Sequence, residues 1–195
     1  MDNFAAHFMK PLSPLGHITE QTDVIGPVTI TENTGVALAS LASRMGQEKA
    51  VAKAAKAAGI PQPGPGIATV AAVYGAFWLG PEQWMIEAPF ASHEDVVSIL
   101  KPLFGETASL TEQTDAWVRF DLEGADLPKL FERLCGFDLR AAGTGAATRT
   151  MIEHLGCYVV LRQMGDGTDR VSVYGPRSSA HSLHHALITA AKSAF

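Results

Sequence analysis

Three histidines near the end of the sequence have a spacing that could bind a metal ion. On a predicted helix His181 and His185 lie one turn apart, as in some zinc sites. A rotation of about 100° per residue places His184 and Ile188 on the same face. A zinc site needs more ligands nearby, and no Asp, Glu or Cys follows Ser178. We therefore predict no metal site, and interpret this face as exposed to water or packed on another protein.

A cysteine and a histidine in the last third of the sequence could act as nucleophile and base in a hydrolase. Glu153 and His154 shortly precede Cys157. If residues 151–155 and 157–161 form a hairpin, these side chains need not share one face. An apolar run follows Cys157, which favours a buried and unreactive thiol. A structural role is predicted, and the hydrolase alternative requires Cys157 and His154 to meet in a cleft.

Acidic residues gather at the end of one predicted strand. Asp121, Glu123 and Asp126 lie close to Arg119 and on both sides of Gly124. Paired carboxyl groups can do acid–base chemistry where burial separates their pKa values. Carboxylates at a strand end normally stay solvated, and Asp126 also suits the N-terminus of the next helix. We therefore expect no catalytic pair here.

The remaining motifs also favour structural roles. The loop Gly143-Thr144-Gly145 lacks the Gly-Lys-Ser/Thr ending of a phosphate-binding loop, and it does not follow a strand and open a helix as a dinucleotide site would. Trp78, Trp84 and Trp117 all lie in predicted strands, which favours the core over ligand stacking. The residues therefore predict no catalytic, cofactor-binding or metal-binding set on this chain.

Composition limits the class of protein. The chain has 195 residues, 47% of them hydrophobic, so a sizeable core is expected. A net charge of −5 with scattered Lys and Arg argues against a nucleic-acid partner. The start, MDNFAAHFMK, does not resemble a secretory signal, and the longest apolar stretch, Ile67 to Leu79, is too short to span a bilayer. With two cysteines expected to be reduced, a cytoplasmic protein without a membrane partner is predicted.

Periodicity and turn residues predict the elements that position these side chains. In the first half they predict a strand at Val36–Leu41, a helix at Gln47–Ala58, and strands at Ala72–Leu79 and Gln83–Glu87. A second helix is predicted to be capped by Ser92 and Asp95. Its apolar face is predicted to consist of Val96, Ile99, Leu100 and Leu103. In the second half they predict a strand at Ala116–Leu122, a helix at Leu127–Leu134, a hairpin around Gly156, an Asp166-Gly167 turn, a strand at Arg170–Tyr174 and a closing helix.

The two halves can be aligned with an offset of 87 residues. Trp84–Glu87 then falls on Val171–Tyr174, and Pro89 falls on Pro176. Each half has approximately the order β-α-β-β-α, which predicts an α+β fold made of two related ferredoxin-like, split-βαβ halves. The predicted division is 27–113 for the first half and 114–195 for the second.

Residues 1–26 form a distinct segment before these halves. Apolar side chains alternate there with Pro11, Pro14 and Gly16, which resist regular structure. We predict an extended arm. The sequence leaves open whether this arm folds back on its own domain or wraps a neighbouring protein.

Three blocks of the sequence resemble one family. The blocks LGPEQWMIEAP, DAWVRFDLEGADLPKLFERLCGFDL and GPRSSAHSLHHAL are similar to segments of the gamma subunit of heterotetrameric sarcosine oxidase, and they occur in the same order. The resemblance implies an aminomethyltransferase/YgfZ-like folate-binding fold. It also implies a structural subunit that contacts mainly the alpha subunit, in a complex with beta and delta subunits.

The resemblance also implies the chemistry of the whole complex. Such a complex converts sarcosine to glycine and hydrogen peroxide, and the one-carbon unit becomes 5,10-methylenetetrahydrofolate or formaldehyde. FAD, FMN, NAD, tetrahydrofolate and zinc are implied on the other subunits, with no cofactor on this chain.

The alternative is a free-standing tetrahydrofolate-binding protein of the YgfZ type. Those proteins carry a Lys-Gly-Cys-Tyr-x-Gly-Gln-Glu signature. The segment Leu155–Arg162 of this chain keeps only Gly156-Cys157-Tyr158, so the cysteine chemistry of that group is not carried over.

Overall fold

The computed structural model describes residues 10–164 and 168–195, and shows a mixed α/β fold with two sheets. The strands are β1 (Thr22–Ile25), β2 (Val28–Asn33), β3 (Val36–Ser43), β4 (Ala68–Val70), β5 (Gly75–Gly80), β6 (Gln83–Pro89), β7 (Ala108–Glu112), β8 (Trp117–Gly124), β9 (Ala147–Ile152), β10 (Leu155–Gln163) and β11 (Asp169–Pro176). The helices are α1 (Glu48–Ala57), α2 (Phe90–His93), α3 (Val96–Phe104), α4 (Leu127–Leu134) and α5 (Ala180–Ala194). None of the helices within these residues is long and apolar enough to cross a membrane.

The first sheet has five strands in the order β4-β5-β6-β3-β7, and all neighbours are antiparallel. Helices α1 and α3 cover its outer face. Alternate residues of β6, such as Trp84 and Ile86, point to these helices and pack with Val51 and Leu100. The period-2 alternation of a strand therefore leaves Met85 and Glu87 on the opposite face, toward the second sheet.

The second sheet has six strands in the order β1-β2-β8-β11-β10-β9, again antiparallel throughout. Helices α4 and α5 cover its outer face. Leu130 and Phe131 of α4 and Leu187 of α5 are buried in one core with Phe120 and Val173 of the strands. The helix spacing of these side chains produces the apolar stripe that covers the sheet.

The inner faces of the two sheets pack on each other. The apolar side chains of this inter-sheet layer include Leu38, Phe77, Met85, Val160 and Tyr174. At one edge the backbone joins the sheets, because Ala68 N donates to Gly145 O at 2.7 Å and Ala147 N donates to Gly66 O at 2.8 Å. The molecule is therefore layered as helices, sheet, sheet, helices.

The described part of the N-terminal arm folds back on its own chain. Leu15 is buried in the core of the second sheet, and its N–H donates to Glu32 Oε1 at 2.9 Å. Strands β1 and β2 lie on the two sides of the predicted boundary at residue 26, and β2 pairs with β8 of the second half. The division into 1–26, 27–113 and 114–195 itself stays a prediction.

Several predicted elements are confirmed and one turn is corrected. The strand at Val36, the helix ending before Gly59 and the helix Leu127–Leu134 are present. The hairpin does not turn at Gly156, which lies inside β10. The turn residues are Glu153 and His154, whose φ values of +48° and +66° suit the tight turn between twisted strands. The predicted Asp166-Gly167 turn lies outside the described residues.

The predicted capping of α3 is also corrected. Asp95 is the cap, since its carboxylate accepts from Ser98 N at 3.0 Å, whereas Ser92 lies in the short helix α2. The buried face of α3 carries Val96, Leu100 and Phe104 at steps of four residues. Ile99 and Leu103, predicted to be on this face, are 41% and 46% exposed. Strands β1, β2, β4 and β7 were not predicted.

Candidate functional site

A polar cluster lies between the two sheets, inside an otherwise apolar layer. Glu87 of β6 is 6% exposed and faces Arg162 of β10 and Tyr174 of β11. Its neighbour across the strand pair is Gly75, and a Cβ atom there would lie 2.8 Å from Glu87 Oε2. The glycine therefore leaves the space that the carboxylate occupies.

Arg162 binds Glu87 through both ends of its guanidinium group. Arg162 Nη2 lies 2.6 Å from Glu87 Oε1, and Nη1 lies 3.0 Å from Oε2. The Tyr174 hydroxyl donates to Glu87 Oε1 and accepts from Arg162 Nη2 at 2.8 Å. Such bidentate, charge-assisted pairs are among the stronger hydrogen-bonded contacts in proteins.

A second carboxylate extends the cluster across the second sheet. Asp121 Oδ1 accepts from Arg119 Nε at 2.7 Å and from Ser172 Oγ at 2.6 Å. Ser172 Oγ in turn accepts from Arg162 Nε at 2.9 Å. We call Glu87, Arg119, Asp121, Arg162, Ser172 and Tyr174 the ionic cluster.

The ionic cluster is balanced in charge and satisfied in hydrogen bonds. Two carboxylates face two guanidinium groups, and Arg119 Nη1 also lies 3.5 Å from Glu87 Oε1. Within residues 10–164 and 168–195, no buried side-chain nitrogen or oxygen lacks a hydrogen-bond partner. Because the charges neutralise one another, the cluster can remain buried without an added ion.

The neighbouring charges also determine the direction in which the pKa values of the buried carboxyl groups are shifted. Burial opposes the ionisation of Glu87, but the charges of Arg162 and Arg119 outweigh it, so the pKa of Glu87 lies below its ordinary value. For Asp121, burial is likewise outweighed by Arg119, and its pKa is also lowered. Burial raises the pKa of Tyr174. At neutral pH these carboxylates are ionised and paired, so they are poor proton acceptors. Glu87 joins the two sheets through Arg162, and Asp121 links strands within the second sheet.

Acid is therefore expected to destabilise the protein through this cluster. Since the folded-state pKa values of Glu87 and Asp121 lie below those of the unfolded chain, their contribution is complete above about pH 5. It is lost as the pH falls through the lowered folded-state values. The measurement is the thermal midpoint between pH 7 and pH 3. A Glu87→Gln variant should show a smaller fall over the same range, and an equal fall would contradict a role for Glu87.

The three candidate histidines do not act as one group. His184 Nε2 lies 2.8 Å from Asp23 Oδ2 of β1, and its ring stacks on Phe120 at 5.6 Å. His185 is exposed beside Thr189, and His181 lines an open surface groove. In the part of the chain that the structure describes, no three potential ligands come together as a metal site. The His184 contact instead holds the N-terminal strand against α5.

The structure separates the cysteine from the predicted base. Cys157 is fully buried, and burial, with Cys135 nearby, raises its pKa to about 11. Glu153 and His154 are exposed on the turn. The geometry therefore favours a structural thiol, as the apolar run around it predicts.

Alkylation tests this assignment. Iodoacetamide at pH 8 is expected to label Cys135, which is partly exposed, well before Cys157 in the folded protein. Both should react once the chain is unfolded in urea. Mass spectrometry of the digested protein gives the labelled fraction at each cysteine. Faster labelling of Cys157 than of Cys135 in the folded state would revive the hydrolase alternative.

The acidic residues predicted to stay solvated have different surroundings. Glu123 is exposed and pairs with Arg170 at 3.4 Å, and Asp126 is exposed before α4. The prediction is wrong for Asp121, which is largely buried in the ionic cluster and also accepts from Asn33 Nδ2 at 2.6 Å. It lies on the inner face of β8 because Val118, Phe120 and Leu122 alternate with it toward the helices.

The remaining predicted structural residues lie in or beside the cores. Trp84 is buried under the helices, and Trp117 contacts the ring of Tyr158 at 5.2 Å. The glycine loop connects the two sheets through Gly145, whose N–H donates to Leu161 O of β10 at 2.8 Å and whose C=O accepts from Ala68 N of β4 at 2.7 Å. Glu87 and Arg162 were missed, although a charge inside an apolar strand was a visible signal.

Comparison with known proteins shows which solved structures have a similar fold. No protein-family model matches the sequence, and no curated protein matches it. Among solved structures, a chain of the heterotetrameric sarcosine oxidase from Corynebacterium sp. U-96, in complex with pyrrole 2-carboxylate, matches with a TM-score of 0.69 and 21% identity over 88% of each chain. Glycine cleavage system aminomethyltransferase T from Bartonella henselae matches with a TM-score of 0.58 and 13% identity, over 80% of this chain and 44% of that one.

The chain shares the fold of both proteins. The aminomethyltransferase-like part of the predicted fold class is therefore confirmed. The similarity to the sarcosine oxidase chain extends over nearly the full length of each, whereas less than half of the aminomethyltransferase is matched.

Proposed function

We propose that this chain is the gamma subunit of a heterotetrameric sarcosine oxidase and that it has a structural rather than a catalytic role. The observation that carries the proposal is the match of 88% of this chain to 88% of a chain in the solved heterotetramer. The match covers most of both chains, whereas less than half of the aminomethyltransferase is matched. The three sequence blocks with the same resemblance support it independently.

The ionic cluster supports a structural role. A folate-binding site would need a carboxylate free to accept from the ligand, and Glu87 is the more deeply buried of the two carboxylates in the ionic cluster. Both of its oxygens already accept from Arg162 and one also accepts from Tyr174. A ligand at Glu87 would have to break this pairing, which costs several kcal/mol for a buried ion pair (~3–5).

In the proposed complex the chemistry belongs to the other subunits. The complex would oxidise sarcosine to glycine with formation of hydrogen peroxide, and would yield 5,10-methylenetetrahydrofolate or formaldehyde. FAD, FMN, NAD, tetrahydrofolate and zinc would be bound outside this chain. The main contact is proposed to be with the alpha subunit, which this chain would brace, and beta and delta would complete the cytoplasmic complex.

We also propose that each half is a ferredoxin-like unit with an added edge strand. In the first half the order β7-β3-β6-β5 is that of a split βαβ sheet, and β4 is added beside β5. In the second half β8, β11 and β10 have the same arrangement with β9 added, and the fourth position, beside β8, is filled by β2 from the N-terminal segment. This supports the division at residues 113 and 114.

The second candidate is a free-standing tetrahydrofolate-binding protein. The shared fold with an aminomethyltransferase favours it. It predicts that the lone protein binds tetrahydrofolate and that Glu87→Gln weakens the binding. Titration followed by tryptophan fluorescence measures this directly.

Co-purification tests the subunit proposal. The chain is expressed with and without the alpha, beta and delta subunits of a sarcosine oxidase, and the products are separated by size-exclusion chromatography. We expect the chain to elute with a flavin-absorbing complex that oxidises sarcosine. Omitting this chain should reduce assembly or activity. A stable monomer that elutes apart from all three partners would overturn the proposal.

A further inference from the structure

Five positions of the second sheet match the five strands of the first, but one of them is filled from a different part of the chain. Strands β4-β5-β6-β3 of the first sheet correspond to β9-β10-β11-β8 of the second. The next position in the first sheet is filled by β7, which follows α3 in the chain. The same position in the second sheet is filled by β2, from the N-terminal segment. This position of the second sheet is therefore filled by a strand from outside residues 114–195.

The end of α5 lies beside the start of β2. A Cβ atom on Gly26 would lie 2.8 Å from Cβ of Phe195, the residue after α5. In the first half, α3 connects to β7 through only the short turn Gly105–Thr107. Strand β2 therefore begins beside the end of α5, as β7 begins close to the end of α3.

The N-terminal segment is tied mainly to the second half. Strand β2 pairs with β8 from Val28↔Gly124 to Asn33↔Arg119. Asp23 contacts His184 of α5, and Arg177 Nη2 donates to Leu12 O at 3.2 Å. Val28 and Ile30 are buried in the second core. The covalent link to the first half passes through Thr34 and Gly35, which are both exposed.

We propose that residues 10–33 are a strap that supplies the closing strand of the second half, and that the strap stays closed without its covalent link to β3. With the strap in place, the backbone N–H and C=O groups along that side of β8 are paired. Opening the strap would expose them as an unpaired edge, a surface on which other strands pair. The strap is thus a conformational device that caps the second sheet.

Cleavage of the folded chain tests this proposal. A site for a specific protease is inserted between Thr34 and Gly35 of the full chain, and the folded protein is cut. We expect fragments 1–34 and 35–195 to elute together from a size-exclusion column at micromolar concentration. Release of 1–34, or aggregation of 35–195 on cutting, would overturn the proposal. A His184→Ala variant should release the fragment at a lower urea concentration than the otherwise unchanged protein.

Native-state hydrogen exchange tests whether the strap belongs to the second half, without inserting a protease site. Peptides of the unmodified chain are followed at increasing urea concentration below the unfolding transition. We expect peptides that cover β2 to lose protection together with those of β8 and β11, since one cooperative unit opens as a whole. If β2 lost protection together with β3 and β6, or well before any other strand, the strap proposal would be overturned.

Discussion

Replacing Glu87 with glutamine is expected to lower the free energy of unfolding by about 3–5 kcal/mol. The substitution keeps the shape of the side chain but removes its charge. Arg162, which is largely buried beside it, then lacks a compensating carboxylate, whereas Arg119 keeps Asp121 at 2.7 Å. The cost of an uncompensated buried charge exceeds the loss of the hydrogen bonds alone. Urea unfolding at pH 7, followed by circular dichroism, measures the change.

The matched control is an ion pair on the surface. Glu106 and Arg44 lie 2.7 Å apart with side chains that are 89% and 50% exposed, so Glu106→Gln should have little effect. Adding Arg162→Met to the Glu87→Gln variant should restore part of the stability, because the uncompensated guanidinium is removed. If Glu87→Gln is no more destabilising than Glu106→Gln, the ionic cluster does not join the sheets.

Replacing Gly124 with alanine is expected to destabilise the protein by about 2–4 kcal/mol. Gly124 has a φ of +142°, and a Cβ atom there would lie 2.1 Å from Pro27 O. The conflict is with backbone, so no side chain can rotate away from it. Strand β2 would have to move away from β8 at Val28, where the two strands pair.

Unfolding in urea and limited proteolysis together test the Gly124 prediction. Proteolysis should become faster between β1 and β3 in Gly124→Ala than in the unchanged protein. Gly136→Ala is the control, since a Cβ atom at Gly136 would meet nothing within 4 Å. Equal stability of the two variants would show that the close approach of Pro27 to Gly124 does not contribute to the stability of the protein.

Elements with a strong one-sided pattern could be predicted from the sequence. Helix α4 repeats apolar residues at helical spacing, and β8 alternates Val118, Phe120 and Leu122 with polar residues. Both patterns follow from burial on a single face, which is a local property. Strand β4 has only three residues and β7 five, so neither carries enough of a pattern to be recognised.

The ionic cluster could not be predicted in the same way. Glu87 and Arg162 come from different sheets, and their contact depends on how the sheets pack. The alignment of the two halves with an offset of 87 residues did hint at part of the cluster. It aligns Glu87 with Tyr174, and these side chains are in contact. Aligned positions of the two central strands thus meet between the sheets. A sequence pattern alone does not show that aligned positions face each other.

The position of β2 has a consequence for the order in which the protein can form during synthesis. Val28 leaves the ribosome about a hundred residues before its partner Gly124. At the usual rates of ~5–20 residues per second, this strand waits for about 5–20 s with no sheet to join. The first half can fold in that interval, since β3 to β7 are contiguous in the chain. A nascent chain from which residue 113 has just emerged can therefore carry a folded first half and an unpaired strand at its start.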